Sequence, residues 1–307
     1  MKKVLIATEK PFAQAAIHGM HPVFTGAGYE MVLLEKYTSK AQLCDEIKDV
    51  DALIIRSDQI DAEVMDAAKQ LKVIVRAGAG VDNVDLEAAT SRHICVMNTP
   101  GQNANAVAEL VMGLLVYAKR HYFQPKAGGE LKGHKMGLHA YGNTAKNVAR
   151  IAKGFGMDVY AYDPFCSFDV IARDGVTPVN SVEELYKTCD IVSLHIPATP
   201  ATVKSINKEL LSTMPAGAVL VNSARKEVID ETGLMELMAE RSDFVYLTDV
   251  APTIHTQLQV KFNERYFATP KKMGAQTAEA NINAGIAAAR QIVDFLENGE
   301  APYQVNK

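Results

Sequence analysis

Short, wholly apolar runs recur along this chain with amphipathic helical stretches between them, and that alternation constrains the fold more than any other feature. In the first third the runs are Val4–Ala7, Met31–Leu34, Ala52–Ile55, Val73–Val75 and Ile94–Met97, with helical stretches such as Lys40–Lys48 and Asp61–Gln70 between them. A strand with one face in water alternates apolar and polar residues. An unbroken apolar run is buried on both faces, as in a parallel sheet covered by helices on each side. Right-handed βαβ winding follows. The pattern then restarts at Met136–Ala140, Val159–Tyr162, Ile191–Ile196, Ala218–Val221, Phe244–Leu247 and Tyr266–Ala268. Two long helical stretches, Asn103–His121 and Thr277–Glu297, separate and close the units. The second carries a small-residue face (Ala278, Ala280, Ala284, Ala287) that reads as core packing. The expected fold is α/β: two doubly wound parallel-sheet, Rossmann-like domains with a cleft between them. The last helix follows the second unit, so the chain is expected to return to the first. That gives residues 1–98 plus 279–307 as one domain and 99–278 as the other.

Composition excludes several classes. A length of 307 residues suits two domains. With 48% hydrophobic and 22% charged residues the chain is too apolar for disorder. A net charge of -4 gives no case for nucleic acid or an anionic membrane as partner. No apolar run is long enough to span a bilayer. Cys44, Cys95, Cys166 and Cys189 show neither CxxC nor metal-ligand spacing, so no metal is expected and free thiols are the simplest reading, with Cys95 and Cys189 in the core. Met1-Lys2-Lys3 leads straight into a strand with no cleavage site, and a cytoplasmic location is expected.

The segment Met136-Gly137-Leu138-His139-Ala140-Tyr141-Gly142-Asn143-Thr144-Ala145 falls at a strand-to-helix junction, followed by a helix with Ala145, Val148, Ala149, Ala152 and Phe155 on one face. Dinucleotide-binding units carry GxGxxG here, so that backbone approaches the pyrophosphate at a helix N-terminus. This chain reads AxGxxA, keeping Gly142 but placing Ala140 at the first position. Asp163 ends the next strand 21 residues beyond Gly142, the spacing of the acid that accepts the ribose hydroxyls of NAD and repels the extra phosphate of NADP. Capping a turn with Pro164 is its bland alternative. NAD is the expected cofactor.

Several further motifs occur together. Arg76-Ala77-Gly78-Ala79-Gly80-Val81-Asp82-Asn83-Val84-Asp85, Asn98-Thr99-Pro100-Gly101-Gln102-Asn103 with Val107-Ala108-Glu109, Ser193-Leu194-His195-Ile196-Pro197-Ala198-Thr199, Val221-Asn222-Ser223-Ala224-Arg225 and the ending Tyr303-Gln304-Val305-Asn306 follow one another along nearly the whole chain. In kind and order they resemble the D-2-hydroxyacid dehydrogenases. The resemblance implies hydride transfer between NAD and a small 2-hydroxy acid. Ala77, Gly78, Ala79 and Gly80 would form an amide nest for the substrate carboxylate, with Asn103 beside it. Arg225 would bind the 2-oxo oxygen and carboxylate through a fork that lysine lacks. Tyr141, Gly142, Asn143, Thr144, Asp163, His195, Pro197, Ser223, Ala224, Asp249 and Gly274 would contact the cofactor. The alternatives are ordinary structural ones: a loop glycine, an ion pair at Arg225, a turn aspartate at Asp249. The family is usually dimeric through its cofactor domain, so a homodimer through 103–132 is expected.

The chain departs from the family at its acid-base pair. The usual histidine position, aligned on Gly274, is Lys272, and the usual glutamate position is Ile254; His255 is misplaced to substitute. Histidine needs a carboxylate to stay protonated, whereas lysine, with an ordinary pKa of about 10.4, does not. Burial beside Arg225 would lower that value toward a useful range, and Lys272 is the expected acid/base. A degenerate site, with Lys272 only binding anion, is the alternative.

Arg56-Ser57, ending a first-domain strand, is placed to meet a substrate phosphate, with Lys10 and Lys271 as further candidates. Ala7-Thr8-Glu9-Lys10-Pro11-Phe12 and Ala224-Arg225-Lys226-Glu227 look like the family's short members that oxidise D-3-phosphoglycerate to 3-phosphohydroxypyruvate in serine biosynthesis. A regulatory domain after Lys307 is not expected. A glyoxylate or hydroxypyruvate reductase is the nearest alternative. A non-catalytic NAD-sensing protein is the alternative from another class.

Overall fold

A computed structural model describes residues 1–306 and divides the chain into two compact units, Met1–Asn103 with Gln276–Lys307, and Ala104–Ala275. The first unit is a five-stranded parallel sheet in the order β2-β1-β3-β4-β5. Its elements are β1 (Lys3–Thr8), α1 (Gln14–Gly26), β2 (Glu30–Glu35), α2 (Lys40–Glu46), β3 (Ala52–Ile55), α3 (Ala62–Ala67), β4 (Val73–Arg76), α4 (Leu86–Ser91) and β5 (Cys95–Asn98). The second unit opens with α5 (Ala104–Lys119) and continues through β6 (Lys135–His139), α6 (Asn143–Gly154), β7 (Asp158–Tyr162), α7 (Phe168–Arg173), β8 (Thr177–Pro178), α8 (Val182–Thr188), β9 (Ile191–Leu194), α9 (Lys208–Ser212), β10 (Val219–Asn222), α10 (Glu231–Glu240), β11 (Val245–Thr248), α11 (His255–Phe262) and β12 (Tyr266–Ala268). Its seven parallel strands run β12-β11-β10-β9-β6-β7-β8. The last helix, α12 (Ala278–Asn298), belongs to the first unit.

The apolar runs behave as their composition requires. Every residue of β3, β9 and β10 is buried, because these strands have helices over both faces. The edge strand β2 carries glutamate at each end, and β8 tolerates Pro178 because an edge strand has one side with no ladder to complete. Short polar side chains start the helices. Asp61, Asp85, Ser181, Asn207 and Thr277 each accept from a first-turn amide, at 2.9–3.2 Å.

Four expectations shift. The buried face of α12 is Ala280, Ala284, Gly285, Ala288, Ala289 and Ile292, packed on α1 and the first sheet, whereas Ala278 is exposed and Ala287 half-buried. Phe155 is not on the buried face of α6; it follows that helix and is 42% exposed. The helix α5 stops at Lys119, because His121, Tyr122 and Phe123 take positive φ angles of 49°, 57° and 61°. The strand expected to run to Ala140 ends at His139 for the same reason. Cys95 and Cys189 are buried, as expected. Among the described residues no helix is long and apolar enough to cross a membrane.

The final residues close a sheet edge. Val305 N donates to Val96 O at 2.9 Å, and the buried Asn306 accepts from Val96 N at 2.7 Å while donating to Ile94 O at 2.9 Å and Thr90 Oγ1 at 3.1 Å. One side-chain amide thus stands in for the peptide of a sixth strand beside β5.

Candidate active site

In the second unit the strand order reverses between β6 and β9, and the carboxyl end of a sheet at such a point is where open α/β folds bind ligands. The two strand ends are joined there by His195 N donating to His139 O at 2.9 Å. The AxGxxA turn follows β6. Ala140 sits at φ 75°, the left-handed region that the first glycine of such turns usually occupies. Gly142 caps α6, and a Cβ built there meets nothing within 4 Å, so the space in front of the helix N-terminus is open. Asn143 is exposed and Thr144 half-buried in the first turn.

Asp163, half-buried just past β7, accepts from Tyr141 N through Oδ2 and from Phe165 N through Oδ1, each at 2.8 Å. Its turn-capping role is therefore present, and the carboxylate oxygens keep lone pairs for hydroxyl donors. It also pins the AxGxxA turn to the strand beside it. Tyr141 is held from its other end, its hydroxyl donating to Asp174 Oδ2 at 2.9 Å.

Among the described residues, His195 Nε2 and Ser223 Oγ are buried polar atoms at this edge with no hydrogen-bond partner. Buried polar atoms are nearly always paired, so orphans at a ligand-binding edge point to a ligand. Pro197 is exposed just beyond His195. Burial pushes the His195 imidazole down to about 3, with His139 adding to the fall, and burial takes His139 down to about 4 against a small opposing effect of Asp163. Both rings are neutral at pH 7. His139 is satisfied by the Tyr186 hydroxyl at 3.1 Å.

The turn after β10 is built around buried Asn222. Its Oδ1 accepts from Ala224 N at 3.0 Å and its Nδ2 donates to Arg225 O at 2.9 Å. Arg225 lies past the strand end rather than on it, half-buried, with Nη1 donating to Ala224 O at 3.0 Å. After β11, Asp249 is 1% exposed and organises the loop that follows β12. It accepts from Thr269 Oγ1 (2.7 Å), Met273 N (2.9 Å) and Gly274 N (2.8 Å). Lys272 projects from that loop and is exposed, as is Lys271; the burial expected to depress the Lys272 pKa is absent in this structure. His255 is engaged elsewhere, with Nδ1 at 2.7 Å from the Tyr266 hydroxyl.

In the first unit, the glycine loop follows β4. Gly78 has φ 153°, and a Cβ there would lie 1.6 Å from Nη1 of Arg76, whose Nε donates to Arg56 O at 2.9 Å. The glycine is required for the arginine to fold back over the loop. Ala77 N and Gly78 N donate to Ile55 O and Arg76 O, each at 2.8 Å, which leaves the amides of Ala79 and Gly80 as the better anion donors. Arg56 follows β3 and is tied to Lys10 O, Pro11 O and Asn281, with Ser57 exposed beside it. Asn103 is half-buried, immediately before α5. Asn222, Thr269, His139 and Asn281 were not among the candidate site residues; they hold other groups in place, and a holding role leaves no spacing signature.

Residues 5–306 match the family described as D-isomer specific 2-hydroxyacid dehydrogenase, catalytic domain. The chain belongs to this family. It is similar to the solved structure of NAD+-bound 3-phosphoglycerate dehydrogenase from Entamoeba histolytica, at 46% identity and a TM-score of 0.89 over 100% of this chain and 99% of that one. It is 37% identical over 285 residues to D-3-phosphoglycerate dehydrogenase of Methanocaldococcus jannaschii, covering 87% of this chain and 54% of the relative. Hydroxypyruvate reductase of Thermotoga maritima is 36% identical over 287 residues, covering 87% of this chain and 92% of the relative. This family member spans about half the length of the Methanocaldococcus relative and matches the Thermotoga one nearly end to end.

Proposed function

We propose that the protein is an NAD-dependent D-3-phosphoglycerate dehydrogenase, interconverting D-3-phosphoglycerate and 3-phosphohydroxypyruvate. The observation that carries the NAD part of this reading is the edge of the second sheet: an open α6 N-terminus, an acid at the next strand end, and orphaned His195 Nε2 and Ser223 Oγ; the likeness to a 3-phosphoglycerate dehydrogenase at 46% identity supports the substrate. These residues fit a dinucleotide. Tyr141, Gly142, Asn143 and Thr144 would hold its phosphates, Asp163 its ribose, and His195, Pro197, Ser223, Ala224, Asp249 and Gly274 the remainder. When bound, NAD supplies the hydride acceptor.

The chain's own residues do the rest. The domain of residues 1–98 and 279–307 binds substrate, and that of 99–278 binds the cofactor. Ala79 and Gly80 amides bind the substrate carboxylate, with Ala77 and Gly78 shaping that loop and Asn103 binding substrate beside it, and Arg56 and Ser57 meet the phosphate. Arg225 orients the 2-oxo group by its planar fork. Lys272 exchanges the hydroxyl proton: its Nζ takes the proton as the alcohol becomes a carbonyl and returns it in the reverse direction. Part of the same reading is a homodimer through 103–132, a region with Phe123 69% exposed, to be checked by sedimentation.

The deciding experiment follows NADH absorbance with 3-phosphohydroxypyruvate, hydroxypyruvate and glyoxylate. Preference for the phosphorylated substrate is expected. The likeness to a hydroxypyruvate reductase favours a second reading, and preference for hydroxypyruvate would establish it instead.

A further inference from the structure

Arg56 is held by three oxygens that carry no net charge. Its Nη1 donates to the carbonyls of Lys10 and Pro11, at 3.2 and 3.1 Å, and its Nη2 donates to Oδ1 of Asn281 at 2.6 Å. The ring of buried Phe12 lies 5.3 Å from the guanidinium carbon, a face that attracts a cation without cancelling it. Asn281 is itself locked. Its Nδ2 donates to Thr277 O at 2.7 Å, one turn back, and that fixes which of its atoms faces the arginine. Thr277 in turn caps α12.

The nearby carboxylate, Asp58, is committed elsewhere. Its Oδ1 accepts from Glu9 N at 2.7 Å and the Tyr37 hydroxyl at 2.9 Å, and its Oδ2 accepts from the backbone N of Arg56 at 3.1 Å. Burial works against the Arg56 charge, and the Asp58 carboxylate acts on it through space in the opposite sense. A half-buried guanidinium steered by neutral acceptors meets no further negative charge from the groups that aim it, and that leaves more of its field for an anion arriving from solution. An aspartate at position 281 would satisfy the same N–H group but cancel that field.

We infer that Asn281 is a positioning residue for the substrate phosphate. It clamps Arg56 with a neutral oxygen, so the guanidinium is aimed while the clamp adds no negative charge to compete with the anionic group. The inference rests on the reading of Arg56 as a phosphate-binding residue and deepens it. The identity of residue 281 then sets preference for phosphorylated over non-phosphorylated 2-oxo acids.

The test compares Asn281→Asp, Asn281→Ala and Arg56→Ala. NADH-dependent reduction of 3-phosphohydroxypyruvate and of hydroxypyruvate is measured for each, and 3-phosphoglycerate binding is titrated by calorimetry. Asn281→Asp is expected to raise KM for the phosphorylated substrate roughly tenfold, with kcat little changed and KM for hydroxypyruvate within about twofold. Asn281→Ala, which loosens the clamp without adding charge, is expected to raise it about threefold. Equal rises for both substrates, or no rise for the phosphorylated one, overturn the clamp. Arg56→Ala separates the two ideas. If it discriminates between the substrates while both Asn281 variants do not, only the clamp fails. If it raises KM for both alike, the phosphate reading of Arg56 fails as well. Circular dichroism and the thermal midpoint establish that each variant is folded, and should the aspartate variant not fold, the alanine variant decides.

Discussion

Ala140 is the residue where local chemistry and fold disagree most plainly. An L-residue in the left-handed region costs about 1–2 kcal/mol, and replacing it with glycine relieves that strain but gives part of the gain back through a more flexible unfolded chain. Ala140→Gly is therefore expected to stabilise the protein by about 0.5–1 kcal/mol, read as a rise in the urea midpoint with an unchanged slope. A loss of stability would mean that the Ala140 methyl, half-buried against the core, contributes more than its φ angle costs. Lys272 poses the chemical question at the same scale. If it is the acid/base, Lys272→Ala lowers kcat by about 10²-fold or more with NADH affinity retained. Unchanged turnover would remove it from the mechanism and leave it as an anion-binding group.

Two loops show how elements are held by single side chains. Removing the Asp249 carboxylate would strand Thr269 Oγ1 and the amides of Met273 and Gly274. Asp249→Ala is expected to cost about 3 kcal/mol and to speed amide hydrogen exchange at residues 273–274, because buried donors lose their acceptor. Exchange confined to its original rate would show that the loop is held by other contacts. At the other end of the chain, Asn306→Ala removes three hydrogen bonds from the β5 edge and is expected to cost about 2 kcal/mol in chemical unfolding. The physical purpose of the Tyr303–Asn306 motif is thus edge closure, which its composition alone did not reveal.

At the scale of the whole molecule, stability should depend on pH through two histidines. His139 and His195 sit at about 4 and about 3 in the folded protein, below the ordinary 6.5. A depressed histidine means that the unfolded chain binds protons the folded one refuses. Stability is then flat above pH 6.5 and falls as the pH drops from 6.5 toward 4. The loss at pH 5 should be about 2 kcal/mol for the buried His139 ring and less for the half-buried His195, read by urea unfolding at both values. Carboxylates held low by partners, such as Asp243 beside Arg241, add their losses only below the ordinary 3.8, so the two windows are separable. A flat profile from pH 7 to 5 would place water or an anion beside these rings.

The apolar runs and the helical stretches between them determined the two parallel sheets, because strands such as Ala52–Ile55 and Ile191–Leu194, buried on both faces and spaced by helices, pair in parallel under helices on each side. The ordered motifs from Arg76 to Asn306 likewise made the family legible, since each carries a backbone or charge requirement that survives in one dimension. Tertiary structure alone decided the rest. It set the phase of the α12 face, which depends on what α1 presents to it. It showed that Asp163 and Asp249 hold turns and loops through backbone amides, and that Arg56 is aimed by Asn281. The reason is common to all three. Hydrophobic period and glycine spacing are properties of neighbours along the chain, whereas a hydrogen-bond partner 225 residues away is a property of the packed molecule.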